Sequence, residues 1–236
     1  MKDIIIAKNI IKDYQIGDKT KTFRAINDMS FNIVEGNLVC ILGPSGAGKS
    51  TLLNLLGGMD RVTGGDLFID GTNIAKLNNK KLTDFRRTEI GFIFQFYNLM
   101  PNLTAIENVE LAVEIKKDSL SPFECLKAVG LETKINNFPS QLSGGEQQRV
   151  SIARALAKNP KIILCDEPTG ALDYETGKNI LSLLVDASFT YNKTVIIVTH
   201  NSALKDLGNE MIKIKNGIIE ETKYNSHPKD IKEIER

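Results

Sequence analysis

The segment from Gly43 to Ser50, Gly-Pro-Ser-Gly-Ala-Gly-Lys-Ser, constrains the fold of this chain more than any other stretch. It fits the phosphate-loop pattern G-x-x-x-x-G-K-[ST] and lies between an apolar run at 38–42 and a helical pattern at 50–56. A strand that enters a glycine-rich loop and continues as a helix turns backbone N–H groups toward one point, where the helix dipole adds positive potential. We therefore predict a phosphate site, in which Lys49 reaches the β- and γ-phosphates and the Ser50 hydroxyl binds Mg²⁺. An ordinary glycine-rich turn is the alternative.

A second apolar run, 162–165, ends in the carboxylates Asp166 and Glu167. A run this continuous is typical of a parallel strand that is buried on both faces. Because successive strand residues point to opposite sides, the two carboxylates cannot have the same role. We predict that one holds Mg²⁺ and that the other orients or deprotonates an attacking water. In a chain without a phosphate loop, a solvated acidic turn would be the better interpretation.

Two further polar residues stand where apolar strands end: Gln95 after the run 90–94, and His200 after the run 193–199. Open α/β sheets bind ligands outside the carboxyl ends of their strands. We therefore expect Gln95, Asp166 and His200 at one edge of the sheet. A purely structural histidine is the alternative for His200.

The rest of the chain divides into a β-rich start and a helical middle. Short extended pieces at 4–11, 23–26 and 29–33 predict a small antiparallel sheet. Strand signals are absent from 96–139, which indicates an inserted helical subdomain. Helices are predicted at about 77–88, 105–116, 122–129, near Thr133, at 140–158 and at 174–188.

Three shorter segments add detail to this organisation. Asn216-Gly217 predicts a hairpin turn. The last dozen residues are charged and are expected to fray. The apolar loop 96–101 suits either the core or a docking surface for a partner, and the residues alone leave both open.

Composition excludes several functional classes. The 236 residues carry 30 basic and 29 acidic side chains, so no overall field attracts nucleic acid. No apolar run approaches the ~20 residues of a membrane helix, and the first residues lack a signal-peptide pattern. We expect a cytoplasmic protein that has no nucleic-acid partner.

The order of these motifs resembles that of the ATP-binding cassette (ABC) ATPases. The signature sequence of that family is present as Leu142-Ser143-Gly144-Gly145-Glu146, between the phosphate loop and the strand that ends in Asp166. The resemblance covers residues 4–221. Within the family, the chain is similar to the ATPase subunits of lipoprotein-release, macrolide-export and peptide-antibiotic transporters, on the segments 43–46, 86–87, 90–92, 95–99, 103–109 and 168–173.

The resemblance implies an α/β fold: a phosphate-loop NTPase core with a mostly parallel sheet, an N-terminal antiparallel β subdomain and an inserted α-helical subdomain. One nucleotide-binding domain then spans 1–225. Its core with the β subdomain comprises 1–94 and 160–225, and its helical subdomain with the signature comprises 95–159. A polar tail, 226–236, follows.

The resemblance also implies a site that two copies build together. Residues of one copy cradle ATP, namely Gly43, Pro44, Ser45, Gly46, Ala47, Gly48, Lys49, Ser50 and Thr51. The signature residues of the second copy cap that ATP, namely Ser143, Gly144, Gly145 and Glu146.

Individual roles carry over in the same way. Tyr14 stacks on adenine, and Ser50, Gln95 and Asp166 surround Mg²⁺ directly or through water. Glu167 is the catalytic base. His200 contacts the γ-phosphate, and Asp173 communicates across the dimer. Many relatives have Asp after the histidine, where this chain has Asn201.

The function implied is that of an ATP-binding and ATP-hydrolysing transporter subunit. It dimerises on ATP and drives a separately encoded membrane permease, at the inner face of the cell membrane, that exports or releases a peptide, lipoprotein or drug. One alternative is a regulatory ATPase of the FtsE type, which signals across the membrane without transport. Another is a soluble ABC protein of translation or DNA repair.

Overall fold

The computed structural model describes residues 2–17, 21–114 and 118–233. The strands of the described chain are β1 (Asp3–Ile16), β2 (Lys21–Val34), β3 (Leu38–Leu42), β4 (Gly64–Ile69), β5 (Thr72–Asn73), β6 (Ile90–Ile93), β7 (Ile162–Asp166), β8 (Thr194–Thr199), β9 (Glu210–Lys215) and β10 (Ile218–Tyr224). The α-helices are α1 (Lys49–Leu56), α2 (Asn79–Glu89), α3 (Ala105–Val113), α4 (Pro122–Ala128), α5 (Gly144–Ala157) and α6 (Tyr174–Phe189). None of the described helices is both long and apolar enough to cross a bilayer.

The central sheet has the strand order β10-β9-β3-β8-β7-β6, and only the β9–β10 pair is antiparallel. Every residue of β3 and β8 is buried, as expected of parallel strands that are covered on both faces. Neighbouring residues of β3 contribute to two apolar clusters. Ile41 belongs to the first, which includes residues of α1, and Cys40 belongs to the second, which includes residues of α5 and α6. The predicted α/β fold with a mostly parallel sheet is confirmed.

The antiparallel sheet has the order β2-β1-β4-β5, and its strands are longer than predicted. The pieces at 23–26 and 29–33 form one strand, β2. The polar break between them is a bulge, in which Asn9 and Asp28 have φ values of 49° and 53°. The Asn9 side-chain amide donates to the Asp28 carboxylate at 2.9 Å and so joins the two bulged positions.

The helical subdomain packs α3 and α4 against α5. The prediction of a short helix near Thr133 is wrong, because this segment forms consecutive turns. The carbonyls of Ile135 and Asn137 accept hydrogen bonds from the first two N–H groups of α3, at 2.9 and 2.8 Å. The segment thereby covers a helix start, which leaves four N–H groups without partners inside the helix. Helix α3 ends at Val113, and 115–116 of the predicted helix lie outside the described residues.

The hairpin β9–β10 turns at Asn216 and Gly217, both with positive φ, as predicted. The expected fraying of the last residues is wrong for Lys229 and Ile231. The Lys229 N–H donates to the Asp206 carbonyl at 2.9 Å, its ammonium lies 3.2 Å from the Asp206 carboxylate, and Ile231 packs against the second apolar cluster.

Glu210 opens β9 and is an acidic residue inside the core. It is 1% exposed, and neither of its carboxyl oxygens has a hydrogen-bond partner in the described chain. Burial, aided by the negative charge of Asp3, raises the pKa of Glu210 to about 7. The folded protein therefore favours the neutral carboxyl.

Replacing Glu210 with Gln is expected to remove one pH dependence of stability. The folded carboxyl keeps its proton up to about pH 7, whereas the unfolded one releases it near 4.5. The wild-type free energy of unfolding should therefore fall as the pH rises through this window, by about 2–3 kcal/mol from this group alone. Denaturant unfolding at pH 5 and pH 8 should show Glu210→Gln gaining stability relative to wild type at pH 8. Glu221→Gln, at an exposed residue, is the matched control. If the free energy of unfolding depends on pH equally in Glu210→Gln and wild type, the raised pKa of Glu210 is wrong.

Candidate functional site

The phosphate loop connects the end of β3 to the start of α1. Gly48, the residue before α1, has φ of 100°, a conformation that only glycine adopts without strain. A Cβ there would lie 2.6 Å from the carbonyl oxygen of Ala25 on β2. The loop can therefore approach the antiparallel sheet this closely only with glycine at position 48.

The tip of the C-terminal hairpin supports the same loop. The Gly217 N–H donates to the Ala47 carbonyl at 3.0 Å, and the Gly217 carbonyl accepts from the Asn27 N–H at 2.8 Å. The hairpin thus ties the phosphate loop to the antiparallel sheet.

Lys49 places its charge inside the loop. Its side chain is almost fully buried, and its ammonium donates to the carbonyls of Gly43 and Pro44 at 2.8 and 3.0 Å. A cation held among backbone groups at a helix start is suited to bind an anion such as phosphate.

Ser50 and Asp166 come together beside Lys49, as predicted. The Ser50 hydroxyl donates to an Asp166 carboxylate oxygen at 3.3 Å. Burial raises the pKa of Asp166, and the nearby charge of Glu167 adds to this, whereas Ser50 and Lys49 oppose it. A bound cation would offset the cost of burying this carboxylate.

The oxygen donors present fit Mg²⁺. Ser50, Asp166 and the amide of Gln95 all line the same cavity. The described chain has no cluster of three or more His, Cys, Asp or Glu residues that could hold a metal alone. Mg²⁺ is usually held by one or two carboxylates together with substrate phosphates, so a single carboxylate and a hydroxyl are an adequate protein contribution.

Glu167 lies just after β7 and is held by Thr199, which ends β8, and by His200, which follows it. The Thr199 hydroxyl donates to Glu167 Oε2 at 2.8 Å, and the His200 N–H donates to Oε1 at 2.9 Å. The His200 Nδ1 is also 2.8 Å from Oε1. Glu167 has φ of 46°, so its backbone leaves the strand conformation here.

A cavity of about 780 Å³ brings most of the predicted residues together. The predicted residues that line it are Pro44, Ser45, Gly46, Gly48, Lys49, Ser50, Thr51, Gln95, Asp166, Glu167 and His200. Gly43 and Ala47 support the loop from outside the lining, through the Lys49 and Gly217 hydrogen bonds described above.

Phe23 and Ala25 also line the cavity and were missed by the sequence reasoning. Phe23 is 52% exposed and pairs across the sheet with Tyr14. Directly paired residues share one face of an antiparallel sheet, so the register would have indicated Phe23, but the sequence does not give the register.

Tyr14 is not among the residues that line the cavity. Its hydroxyl donates to the Asp60 carboxylate at 2.9 Å, and the Lys12 ammonium lies 4.7 Å from the centre of its ring. These contacts fix the ring between Asp60 and Lys12, and its stacking on adenine stays a prediction.

The signature residues lie at the start of α5 and do not line the cavity of their own copy. Ser143 caps the helix: the Glu146 N–H donates to its hydroxyl at 3.3 Å, and its own N–H donates to the Glu146 carboxylate at 2.8 Å. A Cβ on Gly144 would lie 2.8 Å from the Tyr97 hydroxyl oxygen, and one on Gly145 would lie 2.3 Å from the Thr176 methyl group. A side chain at either position would therefore displace Tyr97 or Thr176.

Asp173 and Asn201 both act as helix caps. Asp173 accepts from the Thr176 N–H at 3.0 Å and begins α6. Asn201 accepts from the Ala203 N–H at 3.0 Å and begins a short 3₁₀ helix after His200. Communication by Asp173 across a dimer is a further prediction.

Comparison with known proteins identifies the family. The family model described as ABC transporter matches residues 26–170. An uncharacterized ABC transporter ATP-binding protein of Methanocaldococcus jannaschii, MJ0796, is 46% identical over 226 residues, which are 92% of this chain and 95% of that protein. The lipoprotein-releasing system ATP-binding protein LolD of Cytophaga hutchinsonii is 42% identical over 224 residues, 93% of this chain and 100% of that protein.

A solved structure agrees with these matches. The dimeric, post-hydrolysis state of the cassette MJ0796 bound to ADP and Pi has a TM-score of 0.85 and 44% identity, and the match covers 93% of this chain and 98% of that one. The chain described here therefore belongs to the ABC transporter family, as an ATP-binding cassette with the phosphate-loop α/β fold.

Proposed function

We propose that two copies of this chain bind two ATP molecules with Mg²⁺ between them and hydrolyse the ATP to drive a membrane permease. The observation that carries the proposal is the division of the site. The phosphate-binding and carboxylate residues line one cavity, whereas the signature residues 143–146 lie outside it. A second copy, packed head to tail, brings its signature segment to the open side of the cavity.

The loop and Lys49 bind the triphosphate. The N–H groups at 46–51 and the Lys49 ammonium supply positive potential where the phosphates lie. When bound, Mg²⁺ neutralises developing phosphate charge, and Ser50, Asp166 and Gln95 are the residues that hold it. Phosphoryl transfer to water depends mainly on positioning and charge neutralisation, which these groups provide.

Glu167 accepts the proton of the attacking water. Its carboxylate receives the Thr199 and His200 hydrogen bonds on different oxygens, which fixes its orientation and leaves lone pairs for the water. The His200 side chain is 70% exposed, so its ring is accessible to the γ-phosphate.

The permease is proposed to dock where the helical subdomain meets β6. A groove of about 270 Å³ lies here, lined by Arg87, Phe92, Phe94, Asn98, Ala112, Arg154, Ala155 and Lys158. Beside the groove, Phe96 is 75% exposed and Met100 is 50% exposed. Large apolar side chains this exposed, next to a groove, suit a helical segment of a membrane partner.

Arg154 connects this surface to the signature helix. Its guanidinium donates to the carbonyls of Asn98 and Tyr97 at 2.6 and 2.8 Å, and it belongs to α5. Movement of the signature segment on ATP binding is therefore transmitted to the loop 95–101.

We propose that the cargo is a peptide, lipoprotein or drug, because LolD is named for lipoprotein release and resembles this chain over most of its length.

Glu167→Gln should bind ATP but turn it over about 10²–10⁴-fold more slowly, because the base is lost while the phosphate contacts remain. With ATP and Mg²⁺ this variant should accumulate as a dimer, measured by light scattering after gel filtration. Lys49→Ala should instead weaken ATP binding itself. Hydrolysis by Glu167→Gln at the wild-type rate would falsify the assignment of the base.

Thr199→Val should lower kcat by about tenfold or more, because a hydrogen bond to a charged group contributes about 1.5–3 kcal/mol. The ATP dissociation constant should stay unchanged, since Thr199 does not line the cavity. Thr199→Ser keeps the hydroxyl and should retain turnover. If Thr199→Val and Thr199→Ser hydrolyse ATP equally fast, the Thr199 hydroxyl does not orient Glu167.

Phe96→Asp should lower the affinity for the permease by at least about tenfold, while the ATPase rate of the isolated chain is unchanged. Phe96 is a better probe than Leu99, which packs against the second apolar cluster, or Tyr97, which adjoins Gly144. Phe189→Asp, at an exposed phenylalanine on α6, is the control. Binding is measured by co-purification of the solubilised permease with the ATP-locked Glu167→Gln chain, and equal recovery of both variants would rule out the docking surface.

A further inference from the structure

The signature helix α5 carries a carboxylate at the end where a phosphate is expected. Glu146 lies in its first turn and is only 14% exposed in its side chain. Hydrogen bonds from the Lys134 ammonium and from the Ser143 N–H hold the pKa of Glu146 below its usual value, so this group is charged at neutral pH.

This negative charge opposes the binding of ATP. A helix N-terminus attracts anions through its free N–H groups and its dipole. The negative charge of Glu146 lowers the positive potential at this end of the helix. It also repels a second anion that approaches the same N–H groups. A signature segment with an uncompensated Glu146 would therefore be a poor cap for the triphosphate of another copy.

Lys134 provides the opposite charge. Its ammonium makes a hydrogen-bonded ion pair with Glu146 Oε1, and this is the only ion pair of either residue within the described chain. Its side chain is 42% exposed, so the pair lies close to the protein surface.

The backbone around Lys134 is fixed independently of α5. The Lys134 N–H donates to the Leu131 carbonyl at 3.0 Å, and its carbonyl accepts from the Asn137 N–H at 3.1 Å. The same turns accept the first hydrogen bonds of α3 through Ile135 and Asn137. The segment predicted to be a helix near Thr133 is thus a hydrogen-bonded turn from which Lys134 reaches the signature helix.

We propose that Lys134 is a positioning and charge-compensating residue of the ATP site: it cancels the charge of Glu146 so that the signature segment can cap the triphosphate bound by a second copy. The inference rests on the proposed ATP-bound dimer. It assigns to the turn at 131–137 a role in nucleotide binding, although this turn lines no part of the cavity of its own copy.

The test uses the full chain in the Glu167→Gln background, with ATP and Mg²⁺ as the probe and dimer formation as the readout. Lys134→Gln should raise the ATP concentration for half-maximal dimerisation by at least about tenfold. In a Glu146→Gln background, which has no charge to compensate, adding Lys134→Gln should change this concentration by no more than about threefold. Lys127→Gln removes an exposed lysine from α4 and is the control for net charge.

Two further measurements separate charge from structure. The deficit of Lys134→Gln should shrink between 50 and 500 mM salt, because screening weakens the repulsion by Glu146. ATP binding to the monomer, measured with a fluorescent ATP analogue, should be unchanged, because it uses the phosphate loop. Lys134→Arg keeps the charge and should dimerise like the parent.

The outcomes distinguish the inference from the proposed function. If the Glu167→Gln parent does not dimerise with ATP and Mg²⁺, the proposed function is wrong. If the parent dimerises and Lys134→Gln does so at the same ATP concentration, the role of Lys134 is wrong. An equally large deficit from Lys134→Gln in the Glu146→Gln background also overturns it, since Lys134 would then act without Glu146.

Discussion

The pairing of β3, β8 and β7 brings three chain segments to one edge of the central sheet. Leu42 pairs with Thr199, and Asp166 pairs with Val198, so the three strands end at nearly the same level. The phosphate loop, Glu167 and His200 each follow one of these ends. A slip of one residue in this register would turn buried side chains to the opposite face, so the core that fixes the register also fixes the site.

Much of this arrangement is readable from the sequence, because strands buried on both faces are continuous apolar runs and the carboxyl ends of parallel strands meet. From these two properties alone, Lys49, Ser50, Gln95, Asp166 and His200 are expected in one site. These properties are insufficient where a tertiary contact decides the local conformation. The bulge that joins two predicted pieces into β2 depends on the hydrogen bond between Asn9 and Asp28, which are far apart in sequence.

The other differences have the same origin. Phe23 enters the cavity through its cross-strand pairing, and the segment near Thr133 remains a turn because its carbonyls are used by α3. Local sequence identifies neither the cross-strand partner of Phe23 nor the helix that uses the carbonyls near Thr133. The signature glycines were recognised by resemblance, but the side chains that pack against them, Tyr97 and Thr176, become apparent only from the packing of α5. These two contacts join the signature segment to the loop after β6 and to the helix that Asp173 caps.

The hydrogen bonds of Gly217 have a consequence for how the protein is made. The phosphate loop is synthesised long before the hairpin tip that ties its Ala47 carbonyl to the antiparallel sheet. Both neighbours of β3 in the sheet, β8 and β9, also follow late in the chain. A nascent chain therefore lacks the contacts that hold its phosphate loop until the hairpin β9–β10 has been translated.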